Sequence, residues 1–189
     1  MKLILMTQPT FFVEEDKIIT ALFEEGLDTL HINKPDSEPL YAERLLSLLP
    51  KSCYDDIVVH QHYYLKQEYD LKGIHINDPA TPTPEGFRKH VTRSTSNIDD
   101  LKAMKKQCDY VMLHSLPIDE MKQARKNGLI DKKVYALGGM TLENIQMAKD
   151  LGFGGVVICG DLWNRFSIQH ESNFHALIEH FRKLKKAVS

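Results

Sequence analysis

Short runs of apolar, β-favouring residues alternate with amphipathic segments along the whole chain. Eight such runs are separated in this way, and parallel sheets connected by helices give this alternation. Open doubly wound sheets have about five or six strands, so a count of eight favours a closed barrel. The predicted strands are residues 3–7, 29–33, 56–61, 73–77, 90–96, 110–115, 133–139 and 154–160.

The segments between these runs place apolar residues at helical spacing. Asn97 is a suitable N-cap for one of them, and Thr141 for another, with Asn144 where a capping box has its third-position partner. The stretch at 81–89 is the weakest helix, because it contains two prolines. The stronger helices are predicted at 14–25, 38–49, 98–107, about 141–151 and about 171–186. The sequence therefore predicts an α/β protein, a compact single (β/α)8 TIM barrel, with one domain over residues 1–189.

Composition limits the classes of protein that the chain can represent. Its 189 residues are 42% hydrophobic, which is enough for one sizeable core, although about 250 residues is typical of such barrels. The net charge of −2 gives no reason to expect nucleic acid, and no apolar stretch approaches the roughly 20 residues that span a membrane. Three scattered cysteines form no metal pattern, so we expect reduced thiols and a cytoplasmic protein.

Polar side chains collect where the predicted strands end, although the strands themselves are apolar. In a parallel barrel the carboxyl ends of the strands form the active-site face. The candidate pocket therefore consists of Thr7, His31, Asn33, Lys34, His60, Gln61, His62, His75, Asn77, Asp78, Ser94, Ser96, His114 and Ser115.

Several histidines on one rim raise the question of metal binding. His60 and His62 are two residues apart, so on a strand they would point to the same face. Zinc would need a third ligand from His31, His75 or His114, and no spacing motif singles one out. A hydrogen-bonded polar pocket is therefore the favoured interpretation, with a zinc site as the alternative.

Glycines follow the last two predicted strands. In "KVYALGGMTLEN" the pair Gly138 and Gly139 lies between a strand and a helix, and "VVICGDLW" places Cys159 and Gly160 in the same position. Barrels often bind phosphate at these two loops, with backbone N–H groups at helix starts. We expect an oxyanion site there, and two ordinary tight turns are the alternative.

The order and spacing of five segments resemble the thiamin phosphate synthase/TenI-like family. The segments are "GLDTLHINKP", "VVHQHYYLKQEYDLKGIHIN", "CDYVMLHS", "VYALGGMTLENI" and "GFGGVVICGDLW". Thiamin phosphate synthases join a hydroxymethylpyrimidine diphosphate to a thiazole phosphate and release diphosphate, which magnesium and cationic side chains hold. TenI-like relatives bind the thiazole phosphate, and some of them tautomerise it with a histidine near the end of strand six.

For the thiazole phosphate, the resemblance implies a site that matches the family. The glycine that binds the phosphate corresponds to Gly139, and the backbone of strand eight corresponds to Cys159 and Gly160. The family's strand-five serine, which is assigned to neither half of the site, corresponds to Ser94. This half of the site is expected to bind its ligand.

For the diphosphate, the resemblance implies a site with altered residues. The family's Gln-x-Arg pair corresponds to His31 and Asn33, so the arginine is lost, although Lys34 follows. The two magnesium carboxylates correspond to Gln61, beside His60, and to Ala80, near which Asp78 could serve as a ligand. The lysine of the family's Thr-x-Thr-Lys loop corresponds to Lys122, with Asp119 and Met121 replacing the threonines. Magnesium prefers anionic oxygen ligands, so these changes count against it.

Three functions follow from this resemblance. The leading one is a synthase of thiamin biosynthesis, a transferase with Lys34 and Lys122 on the diphosphate, weakened by its altered metal site. The second is a thiazole phosphate tautomerase with His114 as acid and base, since a histidine pKa lies near neutrality. The third is a non-catalytic phosphate-binding or regulatory barrel. All three functions involve small phosphorylated thiazole or pyrimidine ligands, and all three are compatible with a homo-oligomer.

Overall fold

Eight parallel strands close into a barrel in the computed structural model, which describes residues 1–165 and 174–189. Each strand pairs with its neighbour in chain order, and β8 returns to pair with β1. The predicted (β/α)8 TIM barrel is confirmed, with strands shorter than predicted. They are β1 (Lys2–Met6), β2 (Leu30–Ile32), β3 (Ile57–Val59), β4 (Gly73–Ile76), β5 (Val91–Thr95), β6 (Val111–His114), β7 (Val134–Leu137) and β8 (Gly155–Ile158).

Helices cover the outside of the barrel and bury an apolar stripe against the strands. The last of them is the longest, and its buried face includes Leu177, Phe181 and Leu184. Its predicted start near residue 171 lies outside the described residues. The helices are α1 (Glu15–Glu24), α2 (Pro39–Leu48), α3 (Tyr64–Glu68), α4 (Leu101–Met104), α5 (Ile118–Lys126), α6 (Ile145–Asp150), α7 (Gly160–Trp163) and α8 (His175–Val188).

One of the two predicted N-caps lies at the start of a helical segment. Asn97 Oδ1 accepts a hydrogen bond from the Asp99 N–H at 3.0 Å, so the predicted N-cap is confirmed, although a 3-10 turn precedes α4. The predicted N-cap Thr141 is wrong, because a turn precedes α6, which begins at Ile145 with Asn144 at its N-cap position. Asn144 Oδ1 instead closes this turn by accepting from the Thr141 N–H at 2.8 Å.

The weakest predicted helix, at 81–89, is wrong, because this stretch forms a loop between β4 and β5. Pro82 and Pro84 cannot donate helical hydrogen bonds, and Gly86 has a φ of 89°. The guanidinium of Arg93 holds the loop, donating to Thr81 O at 2.8 Å and to Thr83 Oγ1 at 3.1 Å.

Two chemically different halves fill the interior of the barrel. Ile4, Met6, Tyr110, Met112 and Val157 form an apolar cluster of their own, separate from the larger core that includes the helices' buried residues. The strands β2 to β5 instead contribute buried polar side chains, namely His31, His60, His75, Thr92 and Ser94.

Two further observations concern the cysteines and the apolar character of the helices. All three cysteines lie in the described part of the chain, and none forms a disulfide. Within residues 1–165 and 174–189 we find no helix of the length and apolar character that crossing a membrane requires.

Candidate active site

The chain turns sharply after β7 because two consecutive residues adopt left-handed backbone angles. Gly138 has a φ of 94° and Gly139 a φ of 63°, a region that side chains disfavour. Asn144 Nδ2 fixes the turn by donating to Gly139 O at 2.8 Å. A Cβ built on Gly139 would meet no atom within 4 Å, so open space faces this residue.

A cavity of about 600 Å³ lies between the ends of β7 and β8. Its size is in the range of small-molecule sites. The glycines predicted to bind phosphate line it together, as do residues of the turn after α7. The lining includes Gly138, Gly139, Thr141, Cys159, Gly160, Asn164 and Arg165.

Arg165 brings a positive charge to this cavity, and sequence reasoning missed it. Its Nε donates to Asp161 O at 2.9 Å, and its Nη2 lies 3.2 Å from Asp161 Oδ1. Its side chain is 45% exposed, so part of the guanidinium stays accessible. The spacing of four residues between Asp161 and Arg165 in "GDLWNR" could have predicted this contact, because such pairs meet on one face of a helix.

Asp161 ties the cavity wall to two other helices. Its Oδ2 accepts from the Leu142 N–H at 3.1 Å, ahead of α6, and lies 2.7 Å from His180 Nε2 on α8. Burial raises the pKa of this carboxyl, but the hydrogen bonds from His180, Arg165 and Leu142 outweigh burial and lower it overall. Asp161 is therefore ionised at neutral pH.

Three buried histidines form a hydrogen-bonded cluster beneath the mouth of the barrel. His31 Nδ1 lies 2.8 Å from His60 Nε2, and His31 Nε2 lies 2.5 Å from the Tyr110 hydroxyl. His60 Nδ1 lies 2.9 Å from Asn77 Oδ1. Because this Asn77 atom only accepts, the cluster has one consistent proton order: His60 donates to Asn77, His31 to His60, and Tyr110 to His31.

The third histidine stacks on the second. The rings of His75 and His60 are 4.1 Å apart at their centroids and inclined by 18°. His75 Nδ1 lies 2.8 Å from Thr92 Oγ1, which itself donates to Ile74 O at 3.3 Å. The His75 ring therefore holds its proton on Nδ1.

Burial keeps these imidazoles neutral. It lowers the pKa of His60 to about 4, against an upward effect of the Asn77 hydrogen bond. Burial is also the largest cause that lowers the pKa of His31 and His75, and each is lowered further by its neighbours. Neutral rings suit both a hydrogen-bonded core and metal coordination.

His62, considered as a zinc ligand beside His60, lies apart from this cluster. Its Nε2 is 2.9 Å from Ser37 O, and its φ of 54° shows that the extended strand has already ended. The alternation that would place His60 and His62 on one face therefore does not apply. The histidines brought together are His31, His60 and His75, whose ligand atoms all lie within 4.8 Å of one another.

Lys34 is buried in an ion pair, a position that opposes the diphosphate-binding role predicted for it. Its Nζ lies 2.6 Å from Glu15 Oε1, donates to Thr10 O at 2.8 Å, and stands 4.4 Å from the centroid of the Phe11 ring. Contact with a ligand would require this pair to break. The catalytic role of Lys34 stays a prediction.

Lys122, which corresponds by resemblance to a lysine of a family loop, occupies a helix in this structure. It lies within α5, where its side chain is 60% exposed and its Nζ is 3.7 Å from Asp119 Oδ1. The catalytic role of this lysine stays a prediction.

The remaining predicted residues lie at the mouth. His114 is exposed at the end of β6, and Ser94 Oγ donates to Asn77 O at 3.3 Å. Gln61 bridges two neighbours: its Oε1 accepts from the Lys34 N–H at 2.8 Å and its Nε2 donates to Asn33 Oδ1 at 2.9 Å.

Asp78, the predicted metal ligand, follows β4 and is exposed, but its carboxylate caps its own turn. Oδ1 accepts from the Ala80 N–H at 2.9 Å, and Oδ2 accepts from the Thr81 hydroxyl at 3.0 Å. Its role as a metal ligand stays a prediction.

Known proteins match this chain over almost its whole length. A thiamine phosphate pyrophosphorylase from Bacteroides thetaiotaomicron has a crystal structure that is 49% identical, covers 99% of this chain and 97% of its own, and superposes with a TM-score of 0.94. The chain belongs to the thiamine phosphate pyrophosphorylase family. A curated thiamine-phosphate synthase from Flavobacterium johnsoniae is 20% identical over 184 residues, 84% of this chain and 87% of its own length.

More distant structures share the fold alone. A thiamine phosphate pyrophosphorylase from Pyrococcus furiosus is 17% identical, covers 99% of this chain and 95% of its own, and has a TM-score of 0.72. No model of a protein family matches the chain. The resemblance expected from the sequence is confirmed at the level of the pyrophosphorylase family.

We expect stability to fall as the histidine cluster is acidified. Each of the three pKa values is lower in the folded chain, so the unfolded chain takes up protons first. The stabilisation is full above pH 6.5 and is lost as the pH falls towards about 4. For His60 alone the loss amounts to roughly 3 kcal/mol. Urea unfolding at several pH values in a chelator should show it, and a His60→Gln variant should show a shallower fall. Parallel curves would contradict this explanation.

The buried ion pair should prove structural. Lys34→Met leaves a buried carboxylate alone, and such losses cost about 3–5 kcal/mol. We expect the double variant Lys34→Met/Glu15→Leu to recover most of that stability in urea unfolding. Lys122→Met, which removes an exposed pair, should change stability by less than about 0.5 kcal/mol. An equal loss of stability in Lys34→Met and Lys122→Met would contradict this prediction.

Proposed function

We propose that this chain is a thiamine-phosphate synthase, a transferase that joins hydroxymethylpyrimidine diphosphate to thiazole phosphate. In that reaction the bond from the pyrimidine methylene carbon to diphosphate oxygen breaks, and the thiazole nitrogen forms the new bond to carbon. Family membership supports the reaction class. The observation that carries the proposal is the cavity at the ends of β7 and β8, which suits the phosphate of the thiazole.

Three features favour an anion in that cavity. The N–H groups of Gly139 and Gly160 have no hydrogen-bond acceptor within the described residues. Arg165 supplies positive charge at the wall, and its guanidinium can bind phosphate through two N–H groups. Open space in front of Gly139 admits a phosphate close to the backbone.

The diphosphate half of the site has fewer free groups that could bind a diphosphate or magnesium. Lys34 is ion-paired to Glu15, and the Gln61 amide is engaged by Lys34 N–H and Asn33. A neutral amide and the carboxylate of Asp78 are a poor set for magnesium, which prefers anionic oxygen. These residues do not fit a magnesium site of the family type, so we derive no step through that ion and expect slow synthase turnover.

Thiazole phosphate tautomerisation is a second candidate, and the position of His114 favours it. His114 pairs in register with Leu137, directly before Gly138, so its ring stands on the strand beside the cavity. It is exposed at the mouth, where an imidazole could accept a proton from one atom of a bound thiazole and return it to another. Assays with the thiazole phosphate alone distinguish this activity from the synthase reaction.

The cavity should lose its ligand when a carboxylate occupies it. We expect Gly139→Asp to weaken thiazole phosphate binding at least about tenfold in calorimetry, because a negative charge would face the phosphate. Gly128→Asp is a matched control: Gly128 also has a positive φ, 70°, and also faces open space. Unchanged affinity in Gly139→Asp, or an equal loss in both variants, would place the phosphate elsewhere.

Synthase activity should be weak and respond little to magnesium. Each lost charged contact to the diphosphate costs on the order of 1.5–3 kcal/mol, so two could slow the reaction by roughly two to four orders of magnitude. Thiamin phosphate formation is measured across a magnesium series, beside a Gln61→Asp/Ala80→Asp double variant. We expect the variant to gain activity with magnesium. A fast wild-type rate with ordinary magnesium dependence would refute this account of the site.

A further inference from the structure

The histidine cluster has the composition of a metal centre that the proposed function does not use. His31, His60 and His75 come from three adjacent strands, are fully buried, and hold their ligand atoms within 4.8 Å of one another. We propose that these three histidines bind one divalent transition-metal ion such as Zn²⁺ or Co²⁺, beneath the mouth of the barrel. The fourth position of such a site is available to water.

The partners of the outer ring nitrogens support this site. Metal-binding histidines commonly use their second nitrogen to hydrogen-bond a neighbouring group, which fixes the ring. Here Asn77 holds His60 Nδ1, Thr92 holds His75 Nδ1, and the Tyr110 hydroxyl holds His31 Nε2. His60 Nε2, His75 Nε2 and His31 Nδ1 are left as the three ligand atoms.

The protons can rearrange without leaving the cluster. His60 and His75 already carry their proton on Nδ1, away from the ion. His31 must move its proton from Nδ1 to Nε2, where the Tyr110 oxygen accepts the new hydrogen bond. All three rings are neutral before and after, so coordination by the histidines releases no proton at neutral pH.

A tetrahedral site requires two of the contacts in this cluster to change. Ligand nitrogens around zinc are about 3.3 Å apart, as bonds of about 2.0 Å at tetrahedral angles require. The 2.8 Å contact between His31 Nδ1 and His60 Nε2 would therefore open slightly. The stacked rings of His60 and His75 would tilt apart, because a metal ion lies near the plane of each imidazole that binds it.

The chemistry of the ligands separates this ion from the magnesium of the family. Imidazole suits zinc, cobalt, nickel and copper, whereas magnesium requires oxygen. Asn77, which contacts His60, is exposed at the mouth, so the cluster lies one residue below solvent. The proposal stands on geometry within the barrel and does not depend on the thiamin reaction.

Cobalt titration of the chelator-treated full chain tests the site. We expect one Co²⁺ per chain by calorimetry, the visible absorption of tetrahedral cobalt, and displacement by Zn²⁺ but not by Mg²⁺. His75→Gln and His60→Gln should each weaken binding at least about 100-fold, because losing a ligand should cost no less than the roughly 10–100-fold lost when a ligand's hydrogen-bond partner is removed. His62→Gln, outside the cluster, should bind like wild type. Absent cobalt bands, or bands that persist in both cluster variants, would overturn the proposal.

A measurement on the unaltered protein guards against variants that do not fold. In ¹⁵N spectra of histidine side chains, stoichiometric Zn²⁺ should shift the ligand nitrogens of three buried imidazoles and change the tautomer of His31. Zn²⁺ should also raise the melting temperature, because the ion would join β2, β3 and β4. Shifts confined to other histidines would show adventitious surface binding and overturn the proposal.

Discussion

A closed barrel has to fill its own interior, and here three imidazoles are part of the filling. A buried polar ring is tolerated only if its nitrogens are hydrogen-bonded and its charge is removed. The order of donors from Tyr110 through His31 and His60 to Asn77 meets both conditions. The pairing of β2 to β5 is therefore supported by a polar network as well as by apolar packing, since each histidine of the cluster meets a partner on or just after the next strand. Tyr110, just before β6, reaches His31 across the barrel.

The same division explains the two halves of the mouth. Above the apolar half, the turns after β7 and β8 enclose a cavity with unused backbone N–H groups and the guanidinium of Arg165. Above the polar half, the groups that could carry charge are already engaged: Lys34 with Glu15, and Asp78 with its own turn. The proposed phosphate site thus has free donors at its wall, whereas the polar groups at the proposed diphosphate site bond to the protein itself.

The barrel could be predicted from periodicity alone, because eight apolar strand-like runs alternate with segments that carry apolar residues at helical spacing. The turn after β7 was predictable as well, since Gly138 and Gly139 end a strand with backbone angles that few other residues allow. The partners of Lys34 were not, because Glu15 lies 19 residues away and only tertiary packing brings the two together. The grouping of His31, His60 and His75 could not be predicted for the same reason. Spacing of two residues along a strand selected His62 as the neighbour of His60, but His62 lies beyond the end of β3. His31 and His75 instead approach His60 through the pairing of adjacent strands.

Asp161 gives the last helix a part in the site. One carboxylate holds Arg165 at the cavity, the backbone ahead of α6, and His180 on α8. An anion bound to Arg165 would compete with Asp161 for its guanidinium. Because Asp161 also contacts His180 on α8, the affinity of the cavity for an anion and the packing of α8 depend on the same carboxylate. If the cavity binds the phosphate proposed above, substitutions on α8, which is far from the glycines in sequence, would change the affinity without altering any residue that touches the ligand.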